Sequence, residues 1–225
     1  MTSLVLDFGG PVLLTPFELT GPAERQAGLP PGSLDWTGPL DPGRDELWRA
    51  LQAQQVSEPE YWRTRARELQ VLRQAAGTLG DALGSGDPVK DMMALFFAGP
   101  EHEIVRREAF SALRFARSRG VSVAVLTNDL TLFHDKEWIS RISFLHEIDV
   151  LVDASLHSVR KPEPAAYELV AAMLGVPLRE CLLVDDQRVN LDGAISAGMD
   201  AVWFDVTDPV GSYAAAQKLL EPDGP

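Results

Sequence analysis

Residues 104–128, IVRREAFSALRFARSRGVSVAVLTN, decide the fold. Ile104 to Arg119 carries a helical apolar period, Gly120 closes it, and Val121 to Leu126 is a β-branched apolar run that stops at the polar pair Thr127-Asn128. A strand buried on both faces reads as such a continuous run, and a helix delivering the chain into one is half of a repeating α/β unit. The pattern continues downstream. Ile148 to Val152 predicts a strand, Pro164 to Leu174 a helix, Cys181 to Val184 a strand, Val189 to Ala197 a helix stopped by Gly198, and Ala201 to Phe204 a last strand. Tyr213 to Leu220 predicts one more packing helix, and Glu221 to Pro225 a frayed tail. At the other end, Ser3 to Phe8 is an apolar run that reaches Asp7 and breaks at Gly9-Gly10-Pro11, as a buried first strand does on entering a loop. Alternating helices and strands predict an α/β fold, a doubly wound, Rossmann-like parallel sheet with helices on its faces.

Between these parts lies a segment of different texture. Residues 16–43 are crowded with Pro and Gly and leave room only for short helices. Leu47, Trp48 and Leu51 are helically spaced, and Ser57-Glu58-Pro59-Glu60 has the form of a capping box at a helix start. Tyr61, Trp62, Ala66, Leu69 and Leu72 continue one apolar face; a second breaker stretch, Gly77 to Pro88, precedes the Met92 to Phe97 cluster. The expected organisation is a core of residues 1–15 and 100–225 interrupted by a small helical unit over 16–99.

Composition narrows the function. With 225 residues, 45% hydrophobic and 24% charged, the chain can bury a sizeable core, and no apolar run is long enough to span a bilayer. A net charge of -13 without a basic cluster would repel a phosphate backbone, so nucleic acid is not an expected partner. The lone Cys181 forms no internal disulfide, and Met1 to Phe8 is too short for a signal peptide, so a cytoplasmic protein, monomer or homodimer, is expected.

In a doubly wound sheet the ligand sits outside the carboxyl ends of the strands, and here every such end is polar. Asp7 ends the first strand, Thr127 the second and Asp185-Asp186 the strand Leu182 to Val184, while Lys161 follows the Ile148 strand by a loop. Carboxylates converging with one hydroxyl and one ammonium describe a Mg²⁺ and phosphate site. Asp185-Asp186 can also cap the helix that begins near Val189, and Asn190 can orient that loop.

The stretches Leu6-Asp7-Phe8-Gly9-Gly10-Pro11-Val12, Leu126-Thr127-Asn128, Arg160-Lys161-Pro162 and Leu183 to Asn190, running on to Gly193-Ala194 and Ala197-Gly198, resemble the haloacid dehalogenase superfamily of hydrolases. The likeness covers the core, about half the chain. The helical insertion looks like this superfamily's small cap, and Glu58-Pro59-Glu60-Tyr61-Trp62 is similar to caps of the glucose-1-phosphate phosphatase and epoxide hydrolase N-terminal phosphatase branch. The resemblance implies that Asp7 is a nucleophile forming an aspartyl-phosphate. It implies Mg²⁺ on the Asp7 and Asp186 carboxylates and the Gly9 carbonyl, with Asp185 in or beside that set. Thr127, Asn128, Gly10 and Lys161 would hold the phosphoryl group, and Lys161 would neutralise charge on it and on the nucleophile. One position departs: phosphatases of this superfamily usually carry an acid/base Asp where this chain has Gly9.

Three functions follow as expectations. The first is a Mg²⁺-dependent phosphomonoesterase acting on a small phosphorylated metabolite, slowed by Gly9. The others are a phosphate- and metal-binding pseudoenzyme, and a 2-haloacid dehalogenase-like hydrolase, against which the Asp185-Asp186 pair argues. His102, His134, His146 and His157 lack metal-ligand spacing and read as structural or surface residues. Cys181 reads as a core residue, Trp36, Trp48 and Trp62 as packing of the helical unit, and Arg63, Arg65 and Arg67 as a solvated face.

Overall fold

A computed structural model describes residues 3–78 and 85–221. Part of the expected breaker stretch Gly77 to Pro88, at residues 79–84, and the tail at 222–225 lie outside the described residues, as do residues 1 and 2. By internal contacts the chain forms two compact units, Met1–Leu14 with Glu101–Pro225, and Thr15–Pro100.

The first unit is built on a sheet of five parallel strands, β1 (Ser3–Leu6), β2 (Ser122–Thr127), β3 (Val150–Asp153), β4 (Cys181–Asp185) and β5 (Asp200–Trp203). Their spatial order is β3-β2-β1-β4-β5. β1 and β4 are buried along their whole length, which is why both read as unbroken apolar runs, whereas edge strand β5 leaves Trp203 42% exposed. One core face joins Val5, Ala124, Leu126, Val152 and Leu183 to Tyr167 and Val170 of the helix Pro164–Leu174, with Cys181 fully buried among them. That helix starts at its Pro and ends at Gly175 in the left-handed conformation.

One expectation fails here for a tertiary reason, and one segment without a sequence assignment proves helical. The single helix over Ile104 to Arg119 is two, Glu101–Ile104 and Arg107–Ser118. Between them the backbone is drawn onto the first loop: Arg106 N–H donates to the Val12 carbonyl and the Ile104 carbonyl accepts from Leu14 N–H, both at 2.8 Å. Residues 130–147 fold into three short helices, Leu130–Phe133, Lys136–Ser140 and Ser143–Glu147, too brief to show a period in sequence.

The second unit is helical, with Thr20–Ala27, Glu46–Gln52, Glu58–Ala75 and Pro88–Phe96. Ser57 occupies the N-cap of Glu58–Ala75, but its side chain makes no cap hydrogen bond, so the expected capping box is not formed. Trp36, Trp48 and Trp62 are buried, Trp36 stacking on Phe96 at 5.7 Å. Arg65 overturns its assignment to a solvated face. It follows Tyr61 by one helical turn on the buried side, donates to Asp45 at 2.5 Å and Glu68 at 2.9 Å, and lies over the Trp36 and Tyr61 rings; Arg63 and Arg67 are exposed. Among the described residues no helix is long and apolar enough to cross a membrane.

Candidate active site

Parallel register explains how residues distant in sequence meet. Leu6 of β1 pairs with Val125 of β2 and with Val184 of β4, so Asp7, Thr127 and Asp185, each one or two residues further, emerge at the same sheet edge. Asp7 stays in the ladder, its N–H donating to the Val184 carbonyl at 2.9 Å. Lys161 reaches this edge from the loop after β3, and its Nζ donates to Asp7 Oδ1 at 2.7 Å and to Asp185 Oδ2 at 2.6 Å. Lys161, Asp7, Asp185 and Thr127 are all buried.

A buried ammonium must be held in place by its own backbone, and two contacts do this. The Asn128 side chain grips Lys161 at both ends: its Oδ1 accepts from Lys161 N–H at 2.8 Å and its Nδ2 donates to the Lys161 carbonyl at 3.2 Å. Beside it, Arg160 donates to both Asp129 oxygens, at 2.9 and 2.8 Å, the bidentate geometry that adds direction to charge. The amide of Asn128 is thus committed to Lys161. Sequence reading missed both roles. The visible signal was opposite charges flanking two motifs, Asp129 after Asn128 and Arg160 before Lys161.

Asp185 is saturated. Its Oδ1 accepts from Gln187 N–H at 2.9 Å, both oxygens accept from Asn190 Nδ2 at 3.1 Å, and Oδ2 takes Lys161. It therefore orients Lys161, and Asn190 orients Asp185. The helix Arg188–Ala197 that carries Asn190 is pressed against the Lys161-Pro162 turn. A Cβ on Gly193 would fall 2.6 Å from the Pro162 carbonyl oxygen, so only glycine allows this approach.

The first loop is pinned from outside the sheet: Arg106 Nε donates to the Gly10 carbonyl at 2.5 Å and Tyr213 Oη to the Pro11 carbonyl at 2.8 Å. Gly10 has φ +85°, and a Cβ there would come within 2.8 Å of the Asp186 carboxylate. We expect Gly10→Ala to cost about 1–2 kcal/mol through the left-handed backbone and to push Asp186 aside. Urea unfolding measures the first effect and isothermal titration of divalent cation the second.

Oxygens of Asp7, Asp185 and Asp186 lie within 4.8 Å of one another. Lys161 is paired with two of these three carboxylates, Asp7 and Asp185. Burial pushes the Asp7 carboxyl up to about 7; the attraction of Lys161 pulls the other way and the charge of Asp185 adds to the rise. Burial alone would lower the Lys161 ammonium, but Asp185 and Asp7 outweigh it and hold it above the ordinary lysine range. An all-oxygen cluster of three carboxylates suits a hard divalent cation such as Mg²⁺. Asp7, Asp186 and Asp185 each offer an oxygen to such an ion, although Asp185 already accepts from Gln187, Asn190 and Lys161.

His134, buried, stacks on Trp138 at 3.6 Å, and Trp138 meets Phe8 edge-on; His146 Nε2 hydrogen-bonds the Ser140 carbonyl oxygen, and His102 is exposed. Among the described residues no metal-ligand cluster includes a histidine.

Comparison with known proteins adds to this geometry. A model of the haloacid dehalogenase-like hydrolase family matches residues 20–198, taking in Thr127, Lys161, Asp185 and Asp186 and beginning after Asp7. A phosphatase of Mycobacterium tuberculosis is 30% identical over 91% of this chain and 88% of its own. Phosphoserine phosphatase of Thermus thermophilus is 26% identical over 72% of this chain and 63% of its own. The L-2-haloacid dehalogenase structure from Xanthobacter autotrophicus superposes with a TM-score of 0.56 at 18% identity, over 90% of this chain and 77% of that one, a likeness of fold.

Proposed function

Since the chain belongs to the haloacid dehalogenase-like hydrolases, we propose that it is a Mg²⁺-dependent phosphomonoesterase acting on a small phosphorylated metabolite through an aspartyl-phosphate on Asp7. The observation that carries this reading is the cluster of Asp7, Asp185 and Asp186 around one buried lysine. Displacing halide from carbon calls for a single carboxylate, whereas gathering three, Asp7 and Asp185 buried and Asp186 half-buried, is costly without cations to balance them. When bound, Mg²⁺ would neutralise negative charge and draw phosphate oxygens in.

The residues then divide the work. Asp7 is the nucleophile, with Oδ1 fixed by Lys161. The Lys161 ammonium stabilises charge on the transferring group, in a transition state where positioning and electrostatics supply most of the catalysis. The Thr127 hydroxyl and backbone N–H groups near Asn128 and Gly10 hold phosphoryl oxygens. Asp185, Asn190 and Asn128 keep Lys161 in place. The net charge of -13 disfavours nucleic acid as a partner, and we place the protein in the cytoplasm as a monomer or homodimer.

Phosphate release from 4-nitrophenyl phosphate and a panel of sugar and nucleotide phosphates, with Mg²⁺ and with EDTA, tests this. Wild type should turn over at least one of them only with Mg²⁺, and Asp7→Asn should be slower by at least about 10³-fold, as removal of a covalent nucleophile is. Mg²⁺ binding without turnover on any substrate would favour the binding-protein reading instead.

A further inference from the structure

The two oxygens of Asp7 have unlike surroundings. Oδ1 accepts from Lys161, whereas Oδ2 faces the loop Phe8 to Pro11, which offers no proton-bearing side chain. Gly9 in that loop is exposed, and its φ lies outside the left-handed region. A Cβ built on it meets only Asp7 Oδ2, at 4.0 Å. Neither backbone nor packing therefore requires glycine at this position; the space beside Oδ2 is open. Of the polar groups beside Asp7, Lys161 is committed to two carboxylates, the Asn128 amide to the Lys161 backbone, and Asp185 to Gln187, Asn190 and Lys161.

We infer that this site acts on phosphates whose leaving group departs as a stable anion, acyl phosphates and phosphates of acidic phenols, in preference to phosphates of simple alcohols. This rests on the phosphoryl-transfer reading above. An Asp7 oxygen bonds to phosphorus as the bond from phosphorus to the leaving oxygen breaks, and that oxygen keeps the electron pair. Water then bonds to the same phosphorus, Asp7 leaves as carboxylate, and the proton of water passes to solvent. Only the first step discriminates, because an alkoxide needs a proton at that moment and a carboxylate or phenolate does not. A general acid is worth about 10² to 10⁴ in rate, which is the handicap expected on alkyl phosphates.

The test compares kcat/KM for acetyl phosphate, 4-nitrophenyl phosphate, phenyl phosphate and ethyl phosphate, in wild type and Gly9→Asp, with Asp7→Asn giving the background. Wild type should fall steeply along that series, by about 10²-fold or more from 4-nitrophenyl to ethyl phosphate, and Gly9→Asp should flatten it by raising the alkyl end selectively. Asp7-dependent turnover equal across the wild-type series, or a Gly9→Asp gain equal on every substrate, would overturn this inference while leaving the phosphatase reading standing. Absence of Asp7-dependent release even from acetyl phosphate would overturn both.

Discussion

Lys161→Met is expected to lose about 3–5 kcal/mol of folding stability near neutral pH, the cost of leaving buried charge without its partner. Lys161 is almost wholly buried and is hydrogen-bonded to both Asp7 and Asp185, so its removal strands two carboxylates beside a third, Asp186. The loss should shrink as the pH is lowered to about 5, because protonation removes the stranded charges and the folded variant binds those protons more readily than the unfolded chain does. Adding Asp7→Asn to Lys161→Met should recover part of the loss, giving a coupling of about 0.5–3 kcal/mol. Urea unfolding of both single variants and the double variant at two pH values checks these expectations. Additive losses that do not change with pH would show that the lysine acts only by filling space.

Asp7→Asn alone should do the reverse and stabilise the metal-free protein. The Asp7 carboxyl is raised from 3.8 to about 7 in the fold, chiefly by burial. Between those values the folded state holds a proton that the unfolded chain has released, so the stability contributed by this proton falls as pH rises through the window and is gone above it. At about 1.4 kcal/mol for each tenfold, the gain from Asn is at most about 4 kcal/mol above pH 7 and close to nothing below pH 4. Unfolding curves in EDTA at pH 4, 6 and 8 measure it. A variant no more stable than wild type at pH 8 would mean that Lys161 fully compensates the Asp7 charge. The expected gain is the exchange of stability for function that buried nucleophiles impose.

The five strands and the helix Pro164–Leu174 were legible in the sequence because continuous apolar runs and explicit stop residues mark them. Helices of four or five residues, such as Leu130–Phe133, carry no such mark. The break at Val105-Arg106 depends on hydrogen bonds to Val12 and Leu14, nearly a hundred residues away. Arg65 was misread because a charged residue on a helix is usually solvated, and its buried partner Asp45 lies on another helix start. In the site, strand ends pointed to Asp7, Thr127, Lys161 and Asp185-Asp186. The backbone grip of Asn128 on Lys161 and the Asp129–Arg160 pair required three-dimensional distance, since 31 to 33 residues separate their members. Local pattern thus located the side chains that the fold gathers at one sheet edge, while the contacts that hold them came from the fold.

The proposed reaction requires a phosphoryl group to pass through Asp7. Acid quenching of wild type during turnover of acetyl phosphate with Mg²⁺, followed by peptide mass spectrometry, tests it most directly. One added phosphoryl group is expected on the peptide carrying Asp7, lost on treatment with hydroxylamine and missing in Asp7→Asn. Turnover with that peptide unmodified, or with the phosphoryl group on another residue, would contradict it.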